Sequence, residues 1–191
     1  VGKLGSDIFG RQLRMYLQSA GVELTGVETV EGSSGVAGIV VAATGENCIV
    51  VTPGAKAAVA PEYIEQHLPL IRHAGLVLTQ LEIPIETVER LAELCVQEGV
   101  PLILDPAPAK MLSPNLLRRV RWFTPNETEA AFYVDQVKGY LNQDALGQTA
   151  RSLLNLGSAG IILKAGSRGA YLATGETEQH INALDVEAVD N

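Results

Sequence analysis

The chain has 191 residues, enough for an α/β domain with a sizeable core, and 47% of them are apolar against 19% charged. This balance is typical of a folded globular protein and excludes a disordered one. The net charge of −8 argues against a nucleic-acid partner held by a basic face. No run of about 18 apolar residues could span a membrane, and no signal-peptide pattern opens the chain, so we expect a cytoplasmic protein with no membrane partner.

Two cysteines, Cys48 and Cys95, stand far apart in apolar runs. This placement predicts buried thiols in a reducing compartment and argues against a disulfide framework or a metal site. Three histidines show no metal-ligand spacing; they are His67, His73 and His180.

The first part of the chain predicts a strand, a helix and then an antiparallel β region. A strand turning on glycine covers 1–5, and Ser6 is the predicted cap of a helix whose inward face carries Phe9, Leu13, Tyr16, Leu17 and Ala20. Short β-rich runs follow at 22–30, 36–43 and 48–51. The turns between them have hairpin composition, and strands joined by hairpins pair antiparallel.

Strands and helices alternate from about Gly75 onward. Continuous apolar runs at 75–79, 101–104, 120–124 and 160–163 are separated by helical patterns. Continuously apolar strands that alternate with helices are typical of a parallel sheet covered on both faces. Every polar, turn-rich stretch follows a strand, so we expect these loops to gather at one sheet edge, where α/β proteins bind ligands.

The run Thr124-Pro125-Asn126-Glu127-Thr128-Glu129 marks the end of one of these strands and the start of a helix. Pro125 pushes Thr124 toward extended geometry, and Asn126 and Glu129 have the spacing of a capping box. Under a structural interpretation, the cap alone explains why these residues stand at these positions. A functional interpretation is also open, because a helix N-terminus beyond a strand is a favourable place for anions and their metals.

The run Lys164-Ala165-Gly166-Ser167-Arg168-Gly169 follows the last buried strand and precedes another apolar stretch. It is compatible with a β-hairpin whose glycines supply positive φ. It is equally compatible with a phosphate loop, because glycines allow close backbone approach and Lys164, Ser167 and Arg168 carry donors. The spacings of a Walker A loop and of a dinucleotide-binding fingerprint are absent, which disfavours a dinucleotide-dependent oxidoreductase.

Taken together and in this order, the motifs resemble the ribokinase (PfkB-type) family of small-molecule kinases, with the ribokinase branch the most similar. The matching segments cover essentially the whole chain: Val1 to Gly10, Gln80-Leu81-Glu82-Ile83-Pro84, Asp105-Pro106-Ala107-Pro108-Ala109, Pro125 to Glu129, and Gly166 to Gly169. The resemblance implies a three-layer α/β/α fold with a mostly parallel central sheet and a small antiparallel β lid. It implies a single truncated domain over 1–191, with lid strands within about 22–51 that can mediate a homodimer.

The resemblance also implies roles for individual residues. Glu82 matches the carboxylate that holds sugar hydroxyls, Asn126 the residue near the nucleotide phosphates, and Glu129 the residue that organises magnesium through water. Asp190 matches an acidic residue that contributes to a monovalent-cation site. The expected nucleotide loop consists of Lys164, Ala165, Gly166, Ser167, Arg168 and Gly169.

Two positions depart from the family pattern, and two family segments are absent. Lys164 replaces a common Thr, and Lys56 stands where Asn is usual, which is compatible with a simple solvated substitution. The sugar-binding segment would precede Val1, and the segment with the anion hole and the catalytic base would follow Asn191. We therefore expect a piece of a longer protein that is inactive alone, and no residue is assigned as the base.

The implied activity is ATP-dependent phosphorylation of a sugar primary hydroxyl, with ribose converted to ribose 5-phosphate as the first expectation. ATP and Mg²⁺ would be required and K⁺ is a possible activator. Fructose, 2-keto-3-deoxygluconate and nucleosides remain alternative substrates. A non-catalytic sugar- or nucleotide-binding protein on the same fold is the alternative from another class, because fold does not fix function.

Overall fold

A computed structural model describes residues 1–42, 47–134 and 143–185. The chain divides into two compact units. The first comprises the described parts of Val1–Leu70 and Glu82–Thr87, and the second those of Ile71–Leu81 and Val88–Val186.

The first unit contains two small sheets and short helices. In chain order its elements are β1 (Gly2–Gly5), α1 (Ile8–Ser19), β2 (Val27–Val30), β3 (Val36–Val41), β4 (Asn47–Thr52), a 3₁₀ turn (Gly54–Ala58) and α2 (Pro61–Gln66). A further helix, α3 (Leu68–Arg72), runs across the boundary of the two units.

The predicted antiparallel β region is correct only in part. Strands β3 and β4 pair antiparallel, as expected for the lid. The run 22–30 instead yields the short strand β2, which pairs parallel with β1. A hairpin between β2 and β3 does not form, because Ser34 in the intervening turn is bound to the β1–α1 region through Gly5 N and the Asp7 carboxylate.

Helix α1 differs from its prediction in its cap and in its burial. Asp7, and not Ser6, is the N-cap, and its carboxylate accepts a 2.8 Å hydrogen bond from Gly10 N. Of the apolar side chains predicted to face inward, only Leu17 is partly buried; the others are exposed, with Phe9 at 53% and Tyr16 at 70%. Within the described ranges the neighbouring β1–β2 sheet has two strands, which is too narrow to cover a helix of 12 residues.

The second unit is built on a six-stranded sheet. Its elements are β5 (Val77–Thr79), most of α4 (Ile85–Glu98), β6 (Leu102–Leu104), α5 (Pro114–Leu117), β7 (Trp122–Phe123), α6 (Glu127–Val134), α7 (Gln143–Leu154), β8 (Gly160–Lys164), a 3₁₀ turn (Gly166–Arg168), β9 (Ala170–Thr174) and β10 (Glu178–Ile181).

The strand order of this sheet is β10-β9-β8-β7-β6-β5. Neighbours from β5 to β8 are parallel, as the alternation of strands and helices predicted. Strands β8, β9 and β10 pair antiparallel, so the run between β8 and β9 is a hairpin connection with positive φ at Gly166 and Gly169. The structural interpretation of that run is therefore confirmed, and it leaves the phosphate-binding interpretation open.

The core of the second unit consists of strand residues and one face of each long helix. Side chains that are fully excluded from solvent include Val88, Leu104, Phe123, Ala130, Leu146, Leu153, Ile161 and Leu163. Burying each of the larger ones contributes roughly 1.5–3 kcal/mol. Within the three described ranges, no helix is long and apolar enough to cross a membrane.

The two cysteines occupy different environments. Cys95 is buried in α4, and desolvation raises the pKa of its thiol from 9.0 to about 11. Cys48 is exposed, so the prediction of two buried thiols is wrong for this residue. It lies in β4, and the two-stranded β3–β4 sheet leaves its apolar side chains open to solvent.

We expect a thiol-specific disulfide reagent to modify Cys48 quickly in the native protein, because the site is exposed. Cys95 should react only after unfolding, because its thiol is buried and little thiolate forms below pH 9. Absorbance of the released thiolate measures both rates, and Cys48→Ser identifies the fast phase. Equal rates for the two native thiols would contradict the burial of Cys95.

Candidate functional site

The carboxyl ends of the parallel strands carry most of the predicted site residues. Backbone hydrogen bonds continue the strand ladder beyond the strands themselves: Asp105 N donates to Thr79 O at 2.9 Å, and Lys164 N donates to Pro125 O at 2.9 Å. Asn126 and Lys164 form an isolated parallel bridge. Asp105, Asn126 and Lys164 are therefore fixed at one edge of the sheet by their main chains.

Asn126 and Glu129 bind each other reciprocally at the start of α6. Asn126 Oδ1 accepts from Glu129 N at 2.8 Å, and Glu129 Oε2 accepts from Asn126 N at 2.7 Å. The capping box predicted from the sequence is thus confirmed. Glu129 is only 9% exposed, so this carboxylate is held in one orientation at the positive end of the helix.

Lys164 forms an ion pair with Asp105, a contact that sequence reasoning did not identify. Lys164 Nζ lies 2.6 Å from Asp105 Oδ2, and the two side chains are 43% and 22% exposed. The other carboxylate oxygen, Asp105 Oδ1, is buried and has no hydrogen-bond partner among the described residues. A buried acceptor without a partner is costly, so this oxygen is suited to a ligand that supplies a proton donor or a cation.

The glycine-containing turn after Lys164 is compact and internally hydrogen bonded. Ala165 N donates to Gly169 O at 2.8 Å, and Arg168 N donates to Ala165 O at 3.0 Å. The Arg168 guanidinium forms an ion pair with Glu127 in the first turn of α6. This pair places a cation beside the helix N-terminus that carries Asn126.

A second support holds the loop after β6. Leu81 N donates to Ala107 O at 3.0 Å, and Lys110 Nζ donates to Leu81 O at 2.5 Å. Tyr133 donates its hydroxyl hydrogen to Lys110 O at 2.8 Å. Desolvation raises the pKa of Tyr133 to about 12, so the phenol remains a neutral donor across the physiological range.

Glu82 belongs to the first unit, where its carboxylate forms an ion pair with Lys56. Lys56 lies in the 3₁₀ turn 54–58. This turn is packed closely against the preceding segment: a Cβ atom at Gly54 would lie 2.5 Å from the carbonyl oxygen of Ser34. The close approach and the positive φ of 53° both require glycine at position 54.

The buried Ser34 is the centre of a polar cluster beneath that turn. Its hydroxyl accepts from Gly5 N at 3.0 Å and donates to Asp7 Oδ1 at 2.8 Å. Asp7 Oδ2 accepts from Ser34 N at 3.0 Å. Hydrogen bonds from Gly10 N, and then from Ser34, hold the pKa of the Asp7 carboxyl below its ordinary value of 3.8.

The structure therefore brings most of the predicted residues into two groups. Asn126, Glu129 and the run 164–169 lie together in the second unit, and Glu82 lies in the first. Asp190, the predicted monovalent-cation residue, lies outside the described residues. Sequence reasoning did not assign roles to Asp105, Glu127 or Lys56. For Asp105 the available indication was an acidic residue directly after a buried strand.

Comparison with known families gives a match to the pfkB family of carbohydrate kinases over residues 1–191. The chain belongs to this family. The resemblance inferred from the five motifs is thus confirmed.

Curated relatives and solved structures agree with this assignment. The chain is 34% identical over 193 residues to a ribokinase of Schizosaccharomyces pombe, covering 100% of this chain and 61% of the relative. It is 36% identical over 191 residues to a deoxyribokinase of Salmonella typhi, covering 98% of this chain and 61% of that relative. The chain thus spans about three fifths of the length of these relatives.

The fold matches solved ribokinases. The Arabidopsis thaliana ribokinase complexed with ribose and ATP superposes with a TM-score of 0.87 at 28% identity, covering 99% of this chain and 62% of that one. The Thermotoga maritima ribokinase superposes with a TM-score of 0.82 at 30% identity, covering 98% of this chain and 60% of that one. The expected ribokinase-like α/β/α fold, with a mixed, mostly parallel sheet and a small antiparallel sheet, is therefore confirmed.

The Asp7 cluster gives a pH prediction. A carboxyl whose pKa is lowered by folding contributes stability above its unfolded pKa, and that contribution is lost as the pH falls through the lower folded pKa. At pH 7, Asp7→Asn should therefore unfold at a lower urea concentration than the wild type. This gap between the two urea midpoints should narrow below about pH 4. Urea midpoints between pH 7 and pH 3 measure this gap; a gap that is constant with pH would contradict the role of the charge.

Proposed function

We propose that the protein containing this chain transfers the γ-phosphoryl group of ATP to a primary hydroxyl of a sugar, with ribose as the substrate. The observation that carries the proposal is the sheet edge where Asn126, Glu129, Lys164 and Arg168 meet an α-helix N-terminus. Backbone donors and cations fixed together in this way favour a polyphosphate. Phosphoryl transfer depends mainly on positioning and charge stabilisation, which is what such an edge supplies.

In this proposal the second unit binds the nucleotide. Arg168 and Lys164 contribute positive charge, and the turn 166–169 allows the phosphates to approach the main chain. Asn126 caps the first turn of α6, whose dipole attracts anions. Both cations are already paired with carboxylates, so they are oriented before ATP arrives.

Carboxylate oxygens near this edge fit a magnesium ion. Mg²⁺ prefers oxygen ligands and retains several waters, so it requires few direct protein ligands. Glu129 supplies an oriented, largely buried carboxylate, and Asp105 Oδ1 is a buried acceptor without a partner among the described residues. These two residues would hold the ion and its waters, and the bound ion would offset the negative charge of the phosphates.

The sugar is assigned to Glu82. This residue is a partly exposed carboxylate that can accept hydrogen bonds from sugar hydroxyls. The names of the relatives, a ribokinase and a deoxyribokinase, support a pentose. The ribokinase of Arabidopsis thaliana is described as complexed with ribose and ATP, which supports the same pair of ligands here. A non-catalytic sugar-binding protein is the alternative that activity measurements decide.

Three further parts of the proposal concern assembly, activation and location. We propose a homodimer through β3–β4, because this sheet exposes apolar side chains that include Ile39, Val40, Ile49 and Val50.

The proposed K⁺ activation rests on Asp190 and the family resemblance. A cytoplasmic location is supported by the free thiols of Cys48 and Cys95.

The direct test is a coupled ADP-release assay on the full-length protein with ATP, Mg²⁺ and K⁺. Ribose should give the highest kcat/KM among ribose, fructose, 2-keto-3-deoxygluconate and adenosine. Omission of Mg²⁺ should abolish ADP release, because the phosphate charge is then not neutralised. ATP binding without ADP release on any of the four acceptors would overturn the kinase proposal and favour the non-catalytic alternative.

Glu129→Gln separates the structural role of this residue from its proposed magnesium role. Glutamine also serves in a capping box, so the free energy of unfolding should change by less than about 1 kcal/mol. The kcat should fall by at least about tenfold and the Mg²⁺ concentration for half-maximal rate should rise, because the carboxylate charge is lost. The sugar KM should change little.

Asn126→Ala provides the matched comparison, because it removes the other half of the cap and should cost about 1 kcal/mol of stability. Urea unfolding and Mg²⁺ titrations of the rate measure both variants. A normal Mg²⁺ dependence in Glu129→Gln would contradict the magnesium role.

A further inference from the structure

We infer that Lys56 is a second sugar-orienting residue, and that the Lys56–Glu82 pair selects neutral sugars with two adjacent hydroxyl groups. The inference rests on the proposed function, in which Glu82 binds the acceptor sugar. It goes further because it assigns a specificity role to Lys56 and narrows the class of substrate.

The structure anchors the main chain of Lys56 and places its side chain beside Gly35. Its 3₁₀ turn is anchored by the hydrogen bond from Ala55 N to Ser33 O at 2.9 Å, and Ala55 is buried. The stem of the lysine passes close to Gly35, where a Cβ atom would lie 2.6 Å from Lys56 Cε. The stem thus runs beside the Gly35 backbone, and the ammonium group at its end is paired with Glu82.

The pair is also open to a ligand. The Lys56 and Glu82 side chains are 33% and 38% exposed, so a small molecule can contact both. An ion pair this exposed contributes little to stability. The Lys56–Glu82 pair therefore adds little to the stability of the fold. Loss of the ammonium group is not expected to unfold the protein.

The chemistry of the two side chains is complementary. An ammonium group only donates hydrogen bonds, and a carboxylate only accepts them. A ligand that contacts both must therefore accept one hydrogen bond and donate another from neighbouring atoms. Two adjacent hydroxyl groups do this, since one oxygen accepts from Lys56 while the other hydroxyl donates to Glu82. Hydrogen bonds to charged partners are stronger than neutral ones, which makes the arrangement selective.

The charges of the pair argue against a sugar acid. The carboxylate of an acid such as 2-keto-3-deoxygluconate would approach Glu82 whenever it approached Lys56, so attraction and repulsion would offset each other. A neutral sugar has no such conflict. In the furanose ring, ribose offers an adjacent pair of hydroxyls and 2-deoxyribose does not, so the pair should favour ribose.

The experiment compares the full-length wild type with Lys56→Met, which keeps the length of the stem and removes the donor. The kcat/KM for ribose should fall at least about tenfold, and that for 2-deoxyribose less than about threefold, because only ribose loses a hydrogen bond to a charged donor. The loss should appear in the ribose KM, with the ATP KM unchanged. Lys3→Met is the matched control, since it removes another ion-paired lysine of the same unit, and it should preserve the preference.

Calorimetric titration of both sugars without ATP provides a readout that does not depend on catalysis. Selective weakening of ribose binding in Lys56→Met would support the inference even if the wild type phosphorylated neither sugar, a result that would overturn only the proposed function. Equal losses for both sugars, an unchanged preference, or no binding of ribose by the wild type would each overturn the inference.

Discussion

Parallel hydrogen bonding between strands β5 to β8 is the constraint on which the nucleotide-binding edge depends. Each of these strands is short, from the two residues of β7 to the five of β8. The ladder nevertheless extends past the strand ends through bonds such as Asp105 N to Thr79 O and Lys164 N to Pro125 O. Main-chain hydrogen bonds thus bring residues that are far apart in the chain to one edge of the sheet. Their side chains then form the ion pairs at that edge.

The charged side chains at this edge orient one another. Lys164 is paired with Asp105, and Arg168 is paired with Glu127. A phosphate that reaches these cations competes with carboxylates for them, so its binding gains less than an isolated positive charge would give. The advantage is that little reorganisation is needed, and preorganised charge is what accelerates phosphoryl transfer. A cation on the carboxylates would reduce the competition.

The sequence predicted the features that depend on neighbouring residues. The Asn126–Glu129 cap spans three positions, and the parallel strands follow from continuous apolar runs. Features set by distant segments were predicted poorly. The Lys56–Glu82 pair joins residues 26 positions apart, and the exposure of Cys48 depends on the small extent of the β3–β4 sheet. Local chemistry predicted most of the elements, whereas contacts between side chains of distant segments depend on the tertiary arrangement.

Gly169 shows how structural and chemical demands can coincide at one position. Its φ is 84°, and a Cβ atom would lie 2.0 Å from the carbonyl oxygen of Ile181. Any side chain there would push β10 away from the sheet before any nucleotide bound. In a mutational scan, loss of function on substitution of Gly169 would therefore report on folding. Glycine would be required at this position even in a protein of the same fold that had lost catalytic activity. Neighbouring Ser167, in the same turn and exposed, has no such restriction and would reveal selection for ligand binding alone.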